Sequence, residues 1–177
     1  TMAVTPLNDI GDDRLPPIDS QAMTLEQAQA VSALVKGPRG ALRGPFIPML
    51  RSPGFMNRAQ KVGEYIRYES ALPPLLRELA ILVTARCWGQ TTEWALHAPI
   101  ARAAGLSVDD MAALAQDVAP EGLDEAAMAV YRFCLELHLT QGVTDDAYAA
   151  VLEALGEAQL IDLTGLCGYY AMLAMVM

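Results

Sequence analysis

From Thr24 to Met177 the apolar residues return every three or four positions, and glycine or proline interrupts that rhythm at short intervals. No run alternates with period two over a useful length. A chain patterned this way buries one stripe of each helix rather than one face of each strand. The spacing predicts helices over about 24–36, 53–70, 73–88, 91–104, 107–117, 123–140, 144–155 and 157–176. Pro73 and Pro74 suit a helix start, because the first turn leaves its N–H groups unpaired anyway. Gly89 and Gly105 suit helix ends. The stretch "GPRGALRGPFIPMLRSPG" is expected to be loop with at most a short helix. The expected fold is all-α: a single helical domain of antiparallel helices with short connections. Residues 1–44 read as an N-terminal arm with the first helix, and residues 45–177 as the main helical domain.

Charge narrows the function. The chain carries 12 Lys and Arg against 21 Asp and Glu, a formal net charge of −9. The basic residues stand singly, so no basic face is expected for nucleic acid or an anionic membrane. The three cysteines, Cys87, Cys134 and Cys167, lie far apart with no CxxC and no zinc spacing. That fits a reducing cytoplasm rather than a disulfide framework, and Cys87 and Cys134 read as small buried apolar residues. The first twenty residues are acidic and proline-bearing, without the apolar core of a signal peptide. Hydrophobic residues make up 53% of the chain, above the globular average. With the uncharged run from Leu163 to Met177, short for a membrane span, this predicts a last helix buried at a subunit interface.

One helix carries unusual chemistry. In "GQTTEWALHAPIARAAGL", Gln90, Glu93 and His97 fall at about 0°, 300° and 340° around a helix. They form one narrow polar stripe, with Trp94 beside it. Pro99 cannot donate to the Ala95 carbonyl, so a bend is expected next to His97. On spacing alone the stripe is equally a surface Glu–His pair or the reactive face of a site.

The stretch "LPPLLRELAILVTARCWGQTTEWALHAPIARAAGLS" resembles the carboxymuconolactone decarboxylase family, which shares a fold with the alkylhydroperoxidase D proteins. The likeness extends from "GPFIPMLRSPG" to the closing "GYYAML", so residues 45–177 read as a domain of that type. The resemblance implies an all-helical homotrimer or homohexamer with active sites near subunit interfaces. The peroxidase branch uses a glutamate, a CxxC pair and a histidine four residues after the second cysteine. Glu78 and His97 match the glutamate and the histidine, but Gln90 and Glu93 occupy the two cysteine positions. The Glu-Trp-x-x-His pattern therefore looks like the decarboxylase-type branch, which acts in aromatic compound catabolism.

The two histidines, His97 and His138, lie on different expected helices with no third metal ligand spaced with either, and no cofactor motif is present. Acid–base chemistry remains. The expected catalytic residues are His97, Glu93 and Glu78. The expected substrate contacts are Gln90, Trp94 and a basic anchor for a small anionic organic substrate. Arg51, Arg58, Arg86 and Arg102 are the candidates for that anchor, with Arg86 preferred. Three functions stay open: a cofactor-independent decarboxylase of a cyclic lactone acid, an alkylhydroperoxidase-like antioxidant enzyme, and a non-catalytic small-molecule-binding oligomer.

Overall fold

The computed structural model describes residues 14–177. Among these there is no strand. In chain order the helices are α1 (Leu25–Lys36), α2 (Phe46–Met49), α3 (Pro53–Glu64), α4 (Pro74–Cys87), α5 (Thr91–Ala103), α6 (Val108–Ala115), α7 (Glu125–Thr140) and α8 (Asp145–Val176). The arm expected over residues 1–23 lies outside the described residues as far as residue 13. Beyond it, the arm is held by Arg51, whose guanidinium donates to the Leu15 and Pro16 carbonyls.

Local sequence explains the helix ends. Thr24 and Gln27 form a reciprocal capping box at the start of α1. Ser107, Asp124 and Thr144 cap α6, α7 and α8 by accepting a backbone N–H. Proline opens α3 and α4. Gly89 and Gly105, both at positive φ, follow α4 and α5. α3 continues as a π-helical turn over Tyr65–Glu69, which accounts for the longer helix expected there. The break expected between residues 155 and 157 is the non-helical Gly156, at φ 78° and ψ 171°, inside α8. α5 runs on through Pro99 to Ala103 without being divided.

α4 is the axis of the molecule. Every residue from Leu79 to Ala85 is buried. A helix buried on all sides must be wrapped by others, and α5, α7 and α8 pack around this one. α1 lies on α3, and its Ala30 and Leu34 join the same core.

The last helix departs from expectation. Leu160, Leu163, Leu166, Cys167, Tyr169, Tyr170 and Leu173 face the core of their own chain. Part of its apolar content is spent within the protomer, because α4 needs a cover on this side. By length and composition α8 would also cross a membrane, yet 44% of its most apolar window is buried inside the fold. Ile161 and Met175 remain well exposed.

Leu82 has no exposed surface at the centre of α4. Leu82→Ala should lower stability by about 2–5 kcal/mol, through lost burial and the cavity left behind. Urea unfolding followed by circular dichroism measures this, and a change under 1 kcal/mol would contradict the central place given to α4.

Candidate active site

Glu78 is buried in the first half of α4, and His97 and Glu93 lie one turn apart on α5. Packing α5 against α4 brings the three together. Glu78 Oε2 accepts a hydrogen bond from His97 Nδ1 at 2.7 Å. On the other side of the ring, His97 Nε2 is 3.5 Å from Glu93 Oε2 and 3.4 Å from the Tyr170 hydroxyl on α8. The Tyr170 ring meets the imidazole edge-on at 5.3 Å. Glu78, Glu93, His97 and Tyr170 are all buried. The stripe read from spacing is thus an interior feature, not a surface ion pair.

The electrostatics give each group a state. Burial works to raise the Glu78 carboxyl, but the His97 hydrogen bond and charge, with help from Arg77, outweigh it and hold the group below its ordinary value. Arg77 Nε donates to the second Glu78 oxygen at 3.2 Å. Glu78 is therefore a carboxylate, and His97 donates to it through Nδ1. In the neutral ring the lone pair then lies on Nε2, facing Glu93 and Tyr170. Glu93 shifts the opposite way. Burial raises its carboxyl, although His97, Arg67 and Arg39 partly offset this. Burial also raises the Tyr170 phenol, so it remains a neutral O–H. The Glu93 carboxyl, 3.5 Å from His97 Nε2, therefore keeps its proton to higher pH than an ordinary carboxyl, while Glu78 fixes the ring. Two carboxyls pushed in opposite directions are the pattern expected of acid–base work.

This proton faces a small cavity of about 50 Å³ lined by Arg39, Arg43, Phe46, Arg67, Glu93, Leu96, His97 and Tyr170, among others. Three guanidinium groups thus surround the mouth. Arg39 stacks over the Phe46 ring at 4.6 Å and donates to the Tyr169 hydroxyl at 3.3 Å. Its buried Nε has no hydrogen-bond partner among the described residues. Gly63 on α3 makes room for this pair, because a Cβ there would overlap both the Tyr169 hydroxyl and the Arg39 guanidinium. A larger open groove, between α7 and the first half of α8, shares no lining residue with the site and holds no histidine.

Other expected contacts lie elsewhere. The Gln90 side chain caps α5 by accepting from Thr92 N, so its oxygen serves the helix end. Trp94 is half-buried against the core and does not line the cavity, because it sits about 100° round the helix from Glu93. Arg86 pairs with Asp117. Arg51 holds the arm, Arg58 donates to Gly54 O, and Arg102 is exposed. The arginines that line the cavity come instead from "GPRGALRGP", which holds Arg39 and Arg43, and from Arg67 in the π-helical turn. Two arginines spaced four apart in a glycine-rich loop were the available signal.

Residues 53–136 match the model of the carboxymuconolactone decarboxylase family. No curated protein matches the chain.

The opposite shifts predict opposite pH effects on stability. Glu78, lowered on folding, stabilises the protein above its unfolded value near 4.5, and this contribution is lost as pH falls through its lower folded value. Glu93, raised on folding, favours the fold below about 4.5, and that contribution is lost as pH rises through its higher folded value. Glu78→Gln should therefore flatten the acid limb of a stability–pH curve, and Glu93→Gln the limb above pH 4.5. Melting temperatures from pH 3 to 8 test both. Identical curve shapes for the two variants would rule out the assigned states.

Proposed function

We propose that this chain, which carries a domain of the carboxymuconolactone decarboxylase family, is a cofactor-independent carboxy-lyase acting on a small cyclic carboxylic acid. The observation that carries this reading is the buried Glu78–His97–Glu93 line ending at a cavity ringed by Arg39, Arg43 and Arg67. Acid–base groups supply a proton, and arginines fit a carboxylate in planar, paired geometry. Gln90 and Glu93 stand where the peroxidase branch has its two cysteines, so thiol chemistry has no footing at this position.

The reaction follows from the groups present. The arginines hold the anionic substrate beside the Glu93–His97 proton. The bond from ring carbon to the departing carboxylate breaks, and its electrons pass into the conjugated lactone carbonyl as an enolate. Positive charge at the mouth stabilises that oxyanion. Carbon dioxide leaves, and that proton moves to carbon to form the new C–H bond. Water returns a proton to the pair. Glu78 stays ionised throughout and keeps the imidazole oriented, as a carboxylate does behind a catalytic histidine. At about 50 Å³ the cavity has room for a water or two rather than a ring acid. Substrate entry therefore requires the exposed Arg43 and Leu96 at the mouth to swing outward.

The chain also belongs in a homo-oligomer, a trimer or a hexamer, on this reading. Leu96 and Ile100 on α5 and Ile161 and Met175 on α8 are large apolar side chains left in the open. Sedimentation equilibrium at micromolar concentration tests this; a stable monomer would refute it.

His97→Ala should reduce turnover of a carboxylated lactone roughly 10²–10⁴-fold while circular dichroism stays native. Arg39→Gln and Arg67→Gln should each raise KM roughly 10- to 100-fold, the worth of about 1.5–3 kcal/mol for a charged hydrogen bond. Full activity in a folded His97→Ala protein would overturn the mechanism.

A further inference from the structure

Away from this site, the structure gathers cysteines that the sequence keeps far apart. Cys134 on α7 and Cys167 on α8 meet with their sulfurs 3.5 Å apart. Neither has any exposed surface. Two polar groups flank the pair in an otherwise apolar interior. His138, one turn beyond Cys134, has its Nε2 2.8 Å from Thr84 Oγ1. That hydroxyl gives its only proton to the Ala80 carbonyl at 2.8 Å, so it accepts from His138 Nε2–H. The third cysteine, Cys87, is partly exposed at the end of α4 and close enough to be felt electrostatically by both others.

We propose that Cys134 and Cys167 are a redox-active dithiol that hydrogen peroxide converts to a disulfide joining α7 to α8. The sulfurs already touch, and a bond of about 2.05 Å needs them to close by only about 1.5 Å. Among the described residues no three His, Cys, Asp or Glu are placed to hold a metal ion. The roles of the two sulfurs differ. The contact with Cys134 holds the Cys167 thiol below its ordinary value against the effect of burial, and the nearby His138 works in the same direction. Cys134 is raised, by its bond to Cys167 and by burial. Cys167 is thus the attacking thiolate and Cys134 the resolving thiol. Cys87 is pushed up to about 11, mainly by burial, and is a poor nucleophile despite being the most accessible.

The chemistry balances. The Cys167 thiolate attacks one peroxide oxygen, forming S–O as O–O breaks, and the departing hydroxide takes a proton to leave as water. The Cys134 sulfur then attacks the sulfenic acid. S–S forms, S–O breaks, and the oxygen leaves as a second water with the Cys134 proton. Two thiols and one peroxide give one disulfide and two waters, the protein having lost two electrons. Burial restricts the oxidant to a molecule as small as hydrogen peroxide, admitted past the partly exposed His138 and Cys87.

The test is to treat the reduced full-length protein with hydrogen peroxide, quench, denature, alkylate and weigh it. Two of the three thiols should be lost with a decrease of 2 Da, and non-reducing digestion should yield one linked peptide pair, Cys134 with Cys167. Cys134→Ser and Cys167→Ser should each abolish that link, and Cys87→Ser should leave it intact. His138→Gln should slow its formation several-fold. A link through Cys87, overoxidation confined to Cys87, or three surviving thiols in the folded wild type would overturn the proposal. An unchanged rate in His138→Gln would overturn the site as drawn.

Discussion

The hydrogen bond between Glu78 and His97 decides what the rest of the interior must do. A carboxylate on the most buried helix is expensive to keep unless both oxygens are satisfied and a positive partner is near. His97 takes one oxygen and Arg77 the other. That arrangement fixes the imidazole tautomer, and the tautomer fixes which face of the ring meets Glu93 and Tyr170. α5 is held in register on α4 by the same contact, so the fold and the site share one constraint. Removing His97 leaves one buried Glu78 oxygen unsatisfied, which differs from losing a surface pair.

Much of this was legible from residue order alone. Helix ends followed from Thr24, Pro73, Pro74, Gly89 and Gly105, because caps and breakers act within a few residues. The Glu93–His97 stripe followed from helical geometry, and Glu78 from the resemblance. What stayed hidden depends on contacts between distant segments. Arg39 and Arg67 reach the cavity because the loop after α1 and the π-helical turn meet α5 there, and no periodicity encodes that. Arg86 looked suitable until Asp117, thirty-one residues on, was seen to hold it. Tyr170 is one of two adjacent tyrosines, and only the angle at which α8 crosses α5 distinguishes them. The meeting of Cys134 with Cys167 hangs on the same packing of α8, broken at Gly156, against α7.

The two candidate chemistries sit at different levels along α4. One uses carboxyls and an imidazole in a line that opens toward arginines. The other uses sulfurs closed within the core, with His138 reaching outward. α4 supplies a side chain to each, Glu78 near its start and Thr84 near its end. Its rigid burial keeps both constellations in place without letting them share a group.

The arginine-bearing loop has a separate consequence. Arg39 and Arg43 precede residue 53, where the family match begins, and Tyr170 follows residue 136, where it ends. The acid–base line lies within those limits. On the proposed reading, acid–base chemistry and substrate choice are therefore written in different parts of the chain. A lineage could exchange one acid for another by rewriting a short glycine-rich loop, leaving Glu78, Glu93 and His97 untouched. Gly63 limits that freedom, since any residue larger than hydrogen there displaces Arg39 and Tyr169 together. Descendants of this scaffold should therefore diverge fastest around the cavity mouth and slowest where α3 approaches α8.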